Sequence, residues 1–189
     1  MSIETIPQIE NARIDRKQVI MSAALEVFAH RSYHGASMSE IAKLANVSKG
    51  LIYNYFDNKE ALLTELVLEN TKSIFQSYQL NIKHITDQDF SRFITNSFDL
   101  LDKNTSYYKL FFSLILQTEV MEVIGLKLMN EIEPFIQGFA DYFEQKGYEN
   151  SNSEAQFFFA LMDGIGMDYL MMGLPKEYCI QRIKNIYQI

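Results

Sequence analysis

Two lysines stand where an isolated helix disfavours a cation. Lys49 directly follows Ser48 and Lys59 directly follows Asn58, and each opens an expected helix beside the positive end of its macrodipole. One such lysine costs only tenths of a kcal/mol on an exposed helix, about 0.3 to 1 at most, and carries little by itself. Two in succession make sense if an anion docks at each helix start, where backbone N–H groups and the ammonium converge on it. The segment between them divides into two sides. Ile52, Tyr55 and Phe56 fall at i, i+3 and i+4 and face inward, while Lys49, Gly50, Leu51, Tyr53 and Asn54 face out. A cation, a bare backbone position, an apolar residue, a phenol and an amide suit the base edges and methyl groups of a major groove. Gly50 weakens a helix by about 1 kcal/mol relative to alanine, a cost that close backbone approach to DNA would explain.

Other chemistries are poorly served. His30 and His34 are four residues apart, but histidine near a helix C-terminus is common, so no metal site is expected. There is no Ser/His/Asp arrangement, metal cluster or phosphate loop, so no catalytic residue, no enzyme activity and no cofactor are expected. The single cysteine, Cys179, excludes an intramolecular disulfide and fits a reducing, cytoplasmic setting. The longest apolar run, Phe157 to Met162, is far too short to span a membrane.

The elements that must position these residues are helical. Among 189 residues there are only 8 glycines and 3 prolines, and long apolar periodicities recur, so the fold class is all-α. A first helix from Arg16 to Ser32 turns Ile20, Ala23, Ala24, Val27 and Phe28 to one face. Ser37 to Glu40 reads S-x-x-E, a capping box opening a second, two-turn helix that carries Ile41, Ala42 and Ala45 inward. Asn46 suits a left-handed turn, Ser48 caps the third helix from Lys49 to Phe56, and Asp57 or Asn58 caps a fourth from Lys59 to about Tyr78. Two short helices joined by a three-residue turn, with another packed across them, form a helix-turn-helix. The body continues with helices over Asp87–Asp102, Ser106–Gln117, Glu119–Lys146, Ser153–Met172 and Lys176–Ile189, and Pro134 is expected to kink or divide the third of these. Charge follows the same division. The net charge is −7, yet residues 1–60 hold 7 basic and 7 acidic side chains, so the whole excess of acid lies beyond them. DNA would be repelled by the body and tolerated at the N-terminal end.

The segment from Ser37 to Leu63, S-M-S-E-I-A-K-L-A-N-V-S-K-G-L-I-Y-N-Y-F-D-N-K-E-A-L-L, closely resembles the DNA-binding segment of the TetR family of regulators. That family's pattern is a T/S cap, I-A, a small residue with G-V-S, G-x-x-Y-x-Y/H-F and K-E-x-L. The A-A-L-E-V-F of the first helix resembles it too, so the match covers residues 16 to 65. In the body only the stretch from Ala160 to Ile165 is weakly similar. The resemblance implies an N-terminal three-helix domain plus a C-terminal helical bundle. It implies phosphate contacts at Ser37 and Lys59 and a DNA-facing surface made of Ser48, Lys49, Gly50, Leu51, Tyr53 and Asn54. Asn46 stands where glycine is usual, Leu51 where threonine is common and Asn54 where histidine is frequent.

The resulting division is a flexible arm over residues 1–15, a DNA-binding domain over 16–60 and an effector-binding and dimerisation domain over 61–189. The expected partners are double-stranded operator DNA, a second copy of the chain and a small, largely apolar effector that releases a repressor. A regulator with no small ligand, controlled by a protein partner or acting constitutively, is the alternative. Asn96, Tyr108, Phe112, Gln117, Phe139 and Asp163 are the candidate effector contacts, although aromatic stripes are commonly plain core. For Asp163, capping of a partner group is favoured over ligand contact. Phe157 to Met172 is apolar on all sides, so one side can meet a second subunit, with Gly164 and Gly166 allowing close helix approach.

Overall fold

A computed structural model describes the backbone from Ile6 and the side chains from Ile14 onward. Nine helices and no strand occur among the described residues, which bears out the all-α class. They are α1 (Ile6–Gly35), α2 (Met38–Leu44), α3 (Lys49–Tyr53), α4 (Lys59–Ser77), α5 (Asp87–Lys103), α6 (Thr105–Ile115), α7 (Thr118–Gln145), α8 (Ser151–Met172) and α9 (Lys176–Tyr187).

Local chemistry accounts for most boundaries. Ser37 and Glu40 form the full capping box of α2, with the Glu40 N–H donating to Ser37 Oγ at 3.2 Å and the Ser37 N–H donating to Glu40 Oε2 at 3.1 Å. Asn46 takes the left-handed conformation at φ 53°. Ser48 Oγ accepts from the Leu51 N–H at 3.1 Å and opens α3, and Asn58 Oδ1 accepts from the Ala61 N–H at 2.8 Å in the first turn of α4. Three boundaries differ from the sequence reading. Part of the expected arm, residues 1–5, lies outside the described residues, and the backbone is helical from Ile6, well before Arg16. Helix α3 ends at Tyr53 rather than Phe56, with Asn54 as its C-cap. Helix α7 runs unbroken through Pro134, whose ring sits on an exposed face.

The chain forms two compact units. The first takes the chain as far as Glu69 together with a returning piece, Ser113–Gly125; the second takes Asn70–Phe112 and Leu126–Ile189. The first unit buries Ile20, Ala24, Phe28, Ile41, Ala45, Ile52, Phe56, Leu62 and Leu63, the set that helices this short need in order to form at all. Leu114, Val120 and Ile124 of the returning piece are fully buried as well. The second unit has an aromatic core in which Phe90 meets Phe139, Phe143 and Phe158 edge-on, with ring centroids 4.7 to 5.7 Å apart. Gly138 lets α7 approach the loop before α5: a Cβ there would stand 2.6 Å from the Ile82 carbonyl oxygen.

Candidate nucleic-acid interface and body site

Helix α3 buries Ile52 and leaves Ser48, Lys49, Gly50, Tyr53 and Asn54 exposed, with Leu51 half-buried beside them. Tyr53 is 45% exposed, high for an aromatic residue on a helix with a packed underside. Nothing lies within 4 Å of the position a Gly50 Cβ would take, so the backbone there is open to approach from outside. Lys49 makes no ion pair among the described residues. Ser48 uses its oxygen as an acceptor for the cap, which leaves the hydroxyl proton for an outside acceptor. The expected DNA-facing surface is therefore one contiguous exposed strip held by a buried isoleucine.

Two expected phosphate contacts are otherwise engaged. The Ser37 hydroxyl donates to Glu40 Oε2 at 2.8 Å inside the capping box. Lys59 turns back onto the end of α1, where its Nζ donates to the carbonyl oxygens of Tyr33 (2.7 Å), Ala36 (3.0 Å) and His34 (3.3 Å). The same ammonium stands 4.5 Å from the centre of the Tyr33 ring. An ammonium has three protons, and the three carbonyls take them all. The Lys59 side chain neutralises the negative end of α1 instead of facing outward, a role the sequence could not reveal because Tyr33 and Lys59 are 26 residues apart.

The six effector candidates separate. Gln117 belongs to the first unit and is hydrogen-bonded to α1, with its Oε1 2.9 Å from the Tyr33 N–H and its Nε2 3.0 Å from the Phe28 carbonyl. Phe139 is fully buried in the aromatic core of the second unit, between Phe90, Phe93, Phe158 and Phe159, and lines nothing open. Asn96 and Phe112 are half-buried. Tyr108 and Asp163 do come together with a residue the sequence reading missed, Tyr78. Burial pushes the Tyr78 phenol up to about 12; the Ser97 hydroxyl, 3.1 Å away, opposes this, and Tyr108 and Asp163 are close enough to add to it. Tyr107 beside them donates to Asn70 Oδ1 at 2.9 Å, while the buried Asn70 Nδ2 has no partner among the described residues.

Asp163 is exposed to solvent, yet desolvation of its carboxyl by the surrounding protein pushes it up to about 6. The folded value lies above the ordinary 3.8, so the folded state holds the proton more tightly. Its contribution to stability is complete below about pH 4 and is lost as pH rises through about 6. Asp163→Asn should therefore melt higher than the parent near pH 7.5 and lose most of that advantage near pH 4. Melting curves that shift in parallel at the two pH values would show the carboxyl to be freely solvated.

The two glycines of the expected dimer face are also unlike each other. Gly164 is exposed, with nothing within 4 Å of a would-be Cβ, whereas Gly166 is buried and a Cβ there would meet Leu101 Cδ1 at 3.5 Å. Gly164 lies on a stripe with Phe157 (56% exposed), Ala160, Asp168 and Met171 (49% exposed) at helical spacing. On α9, Tyr178 and Ile186 are exposed as well. No helix among the described residues is long and apolar enough to cross a membrane, and none of their His, Cys, Asp and Glu side chains gather in a group that could hold a metal.

Residues 20–66 match the profile of the family described as bacterial regulatory proteins, tetR family. The chain is 32% identical over 124 residues to the fatty acid metabolism regulator protein of Bacillus subtilis (strain 168), covering 64% of this chain and 60% of that one. It is 29% identical over 121 residues to the HTH-type transcriptional activator FasR of Mycolicibacterium smegmatis, covering 63% and 55%. It thus spans less than two thirds of the length of these relatives, which are regulators and not enzymes. Among solved structures, the transcriptional regulator FadR from Bacillus subtilis in complex with stearoyl-CoA superposes with a TM-score of 0.69 over 88% of this chain and 96% of that one, at 22% identity. That likeness establishes the fold.

Proposed function

From the premise that this chain belongs to the TetR family of bacterial regulatory proteins, we propose that it is a cytoplasmic, sequence-specific DNA-binding transcription regulator. It acts as a homodimer, and a small, largely apolar effector releases it from its operator. The observation that carries the DNA reading is the exposed strip from Ser48 to Asn54 over buried Ile52, with Lys49 unpaired among the described residues. Phosphate contact falls to Lys49 and the Ser48 hydroxyl, and base contact to Leu51, Tyr53 and Asn54, with Gly50 giving the backbone its approach. Leucine can neither donate nor accept, so Leu51 reads a thymine methyl.

The dimer reading draws on the exposed stripe of α8 and the neighbouring apolar side chains of α9, which are far more apolar than water-facing helix positions require. The effector reading draws on the relatives: one is a fatty acid metabolism regulator, and another was solved with stearoyl-CoA. The effector contacts are placed beside Tyr108 and Asp163, which lie close to the Tyr78 phenol. In this reading the chain is a repressor, relieved when the effector releases it, whereas one relative is named an activator.

The test uses genomic DNA fragments recovered on the purified protein. Binding should weaken steeply with salt, and Lys49→Ala should flatten the slope of log affinity against log salt by about one unit in each half-site. A slope identical to the parent's would remove Lys49 from the interface.

A further inference from the structure

Helix α1 is interrupted near its end by Ser32, whose backbone sits at φ 60° and ψ 164°. That region is essentially reserved for glycine, and other residues persist there only where their surroundings force it. The break removes the ordinary α-helical ladder around it, and the side-chain amide of Gln117 stands in the gap. Its Oε1 accepts from the Tyr33 N–H at 2.9 Å, on the far side of the break, and its Nε2 donates to the Phe28 carbonyl at 3.0 Å, on the near side. A side chain inserted into the ladder is one of the few causes of a sharp helix kink.

The other half of the turn is held by Lys59. Tyr33 has its N–H taken by Gln117 and its carbonyl by Lys59, which also holds the carbonyls of His34 and Ala36. The next residue is Ser37, the N-cap of α2. Two side chains from elsewhere in the chain therefore set the path by which α1 delivers α2 and α3.

Gln117 cannot adjust independently. It sits in the turn between α6 and α7, where its N–H donates to the Leu114 carbonyl at 3.1 Å and its own carbonyl accepts from Val120 (3.1 Å) and Met121 (3.2 Å) at the start of α7. That turn lies within Ser113–Gly125, the returning piece of the first unit, while α6 begins and α7 ends in the second.

We propose that Gln117 is a positioning residue for DNA reading. Its amide replaces the hydrogen bonds α1 loses at Ser32, so the α6–α7 turn fixes the direction in which the chain enters α2, and any displacement of that turn reaches the recognition surface. The inference rests on the DNA-binding reading above.

The experiment uses the full chain, genomic fragments enriched by the parent protein, and random-sequence duplex of equal length. Gln117→Met keeps side-chain length and packing and deletes both hydrogen bonds. Gln117→Glu keeps the acceptor for Tyr33 and removes the donor for Phe28. Expected are an affinity for the enriched fragments at least tenfold weaker in Gln117→Met and intermediate in Gln117→Glu. Affinity for random duplex should be unchanged within twofold, and hydrogen exchange at the Tyr33 amide at least tenfold faster in Gln117→Met. Equal weakening on enriched and random DNA, or unchanged Tyr33 exchange, would overturn the proposal. Should Gln117→Met not fold, Gln117→Leu, which also deletes both hydrogen bonds, is judged by the same two comparisons. If the parent enriches no fragments, the DNA-binding reading falls by itself, and Tyr33 exchange still decides whether Gln117 holds the turn.

Discussion

Gly164→Leu should leave a folded monomer that binds its operator at least 100-fold more weakly than the parent. Gly164 is exposed and no atom stands near its would-be Cβ, so one subunit by itself gives no reason for glycine there. Glycine in a helix costs about 1 kcal/mol relative to a good helix former, so leucine should stabilise the isolated subunit. Between two copies packed along the Phe157–Met171 stripe, the same side chain would hold the helices apart. Two half-sites bound by linked subunits gain roughly 10²- to 10⁴-fold over one, and that gain is what the variant forfeits. Gly166→Leu should behave differently. Its side chain would drive into Leu101, 3.5 Å from the Cβ position, and overpacking of this kind costs about 1–3 kcal/mol of fold stability without acting on the interface first. Sedimentation and thermal melts on both variants separate these outcomes. A Gly164→Leu protein that stays dimeric would move the interface off this stripe.

Phe139→Ala should lower stability by about 3–5 kcal/mol, as large-to-small changes at fully buried aromatics do, which corresponds to ~10 °C in melting temperature for a chain of this size. The ring is fully buried, with Phe93 at 5.0 Å and Phe158 at 5.1 Å between centroids, and truncation would strip edge and face contacts from both. Urea melts give the number directly. A decrease under about 1 kcal/mol would mean that Phe139 borders open space after all, as an effector contact would.

What could be read in advance was whatever chemistry acts over three or four residues. The Ser37–Glu40 box, the left-handed Asn46, the Ser48 cap and the inward Ile52 are all short-range facts, and the structure has each of them. The exposed strip followed because the buried underside of α3 dictates its outside. Residues whose role depends on a distant partner were misread or missed. Lys59 looked like a phosphate ligand because its helix start is local, but the carbonyls that take its protons lie before α2. Gln117 looked like a polar group in an apolar wall, because nothing in its own segment signals a break at Ser32 in α1. Phe139 and Gly166 show the limit of periodicity: a 3.6-residue stripe says that a side is apolar and leaves open whether core, ligand or partner covers it. Pro134 is expected to kink or divide α7, and the helix is continuous through it.

The central claim is that two copies of this chain read DNA through the strip Ser48–Asn54. It is tested most directly by sequencing the fragments that the purified protein enriches from a random duplex pool. The account predicts a two-fold symmetric motif whose half-sites are about 34–36 Å apart, or a multiple of one helical turn. It predicts that Leu51→Thr changes the preferred base at one position of each half-site and nowhere else. Enrichment no greater than for shuffled DNA, or a single asymmetric motif left unchanged by Leu51→Thr, would contradict it.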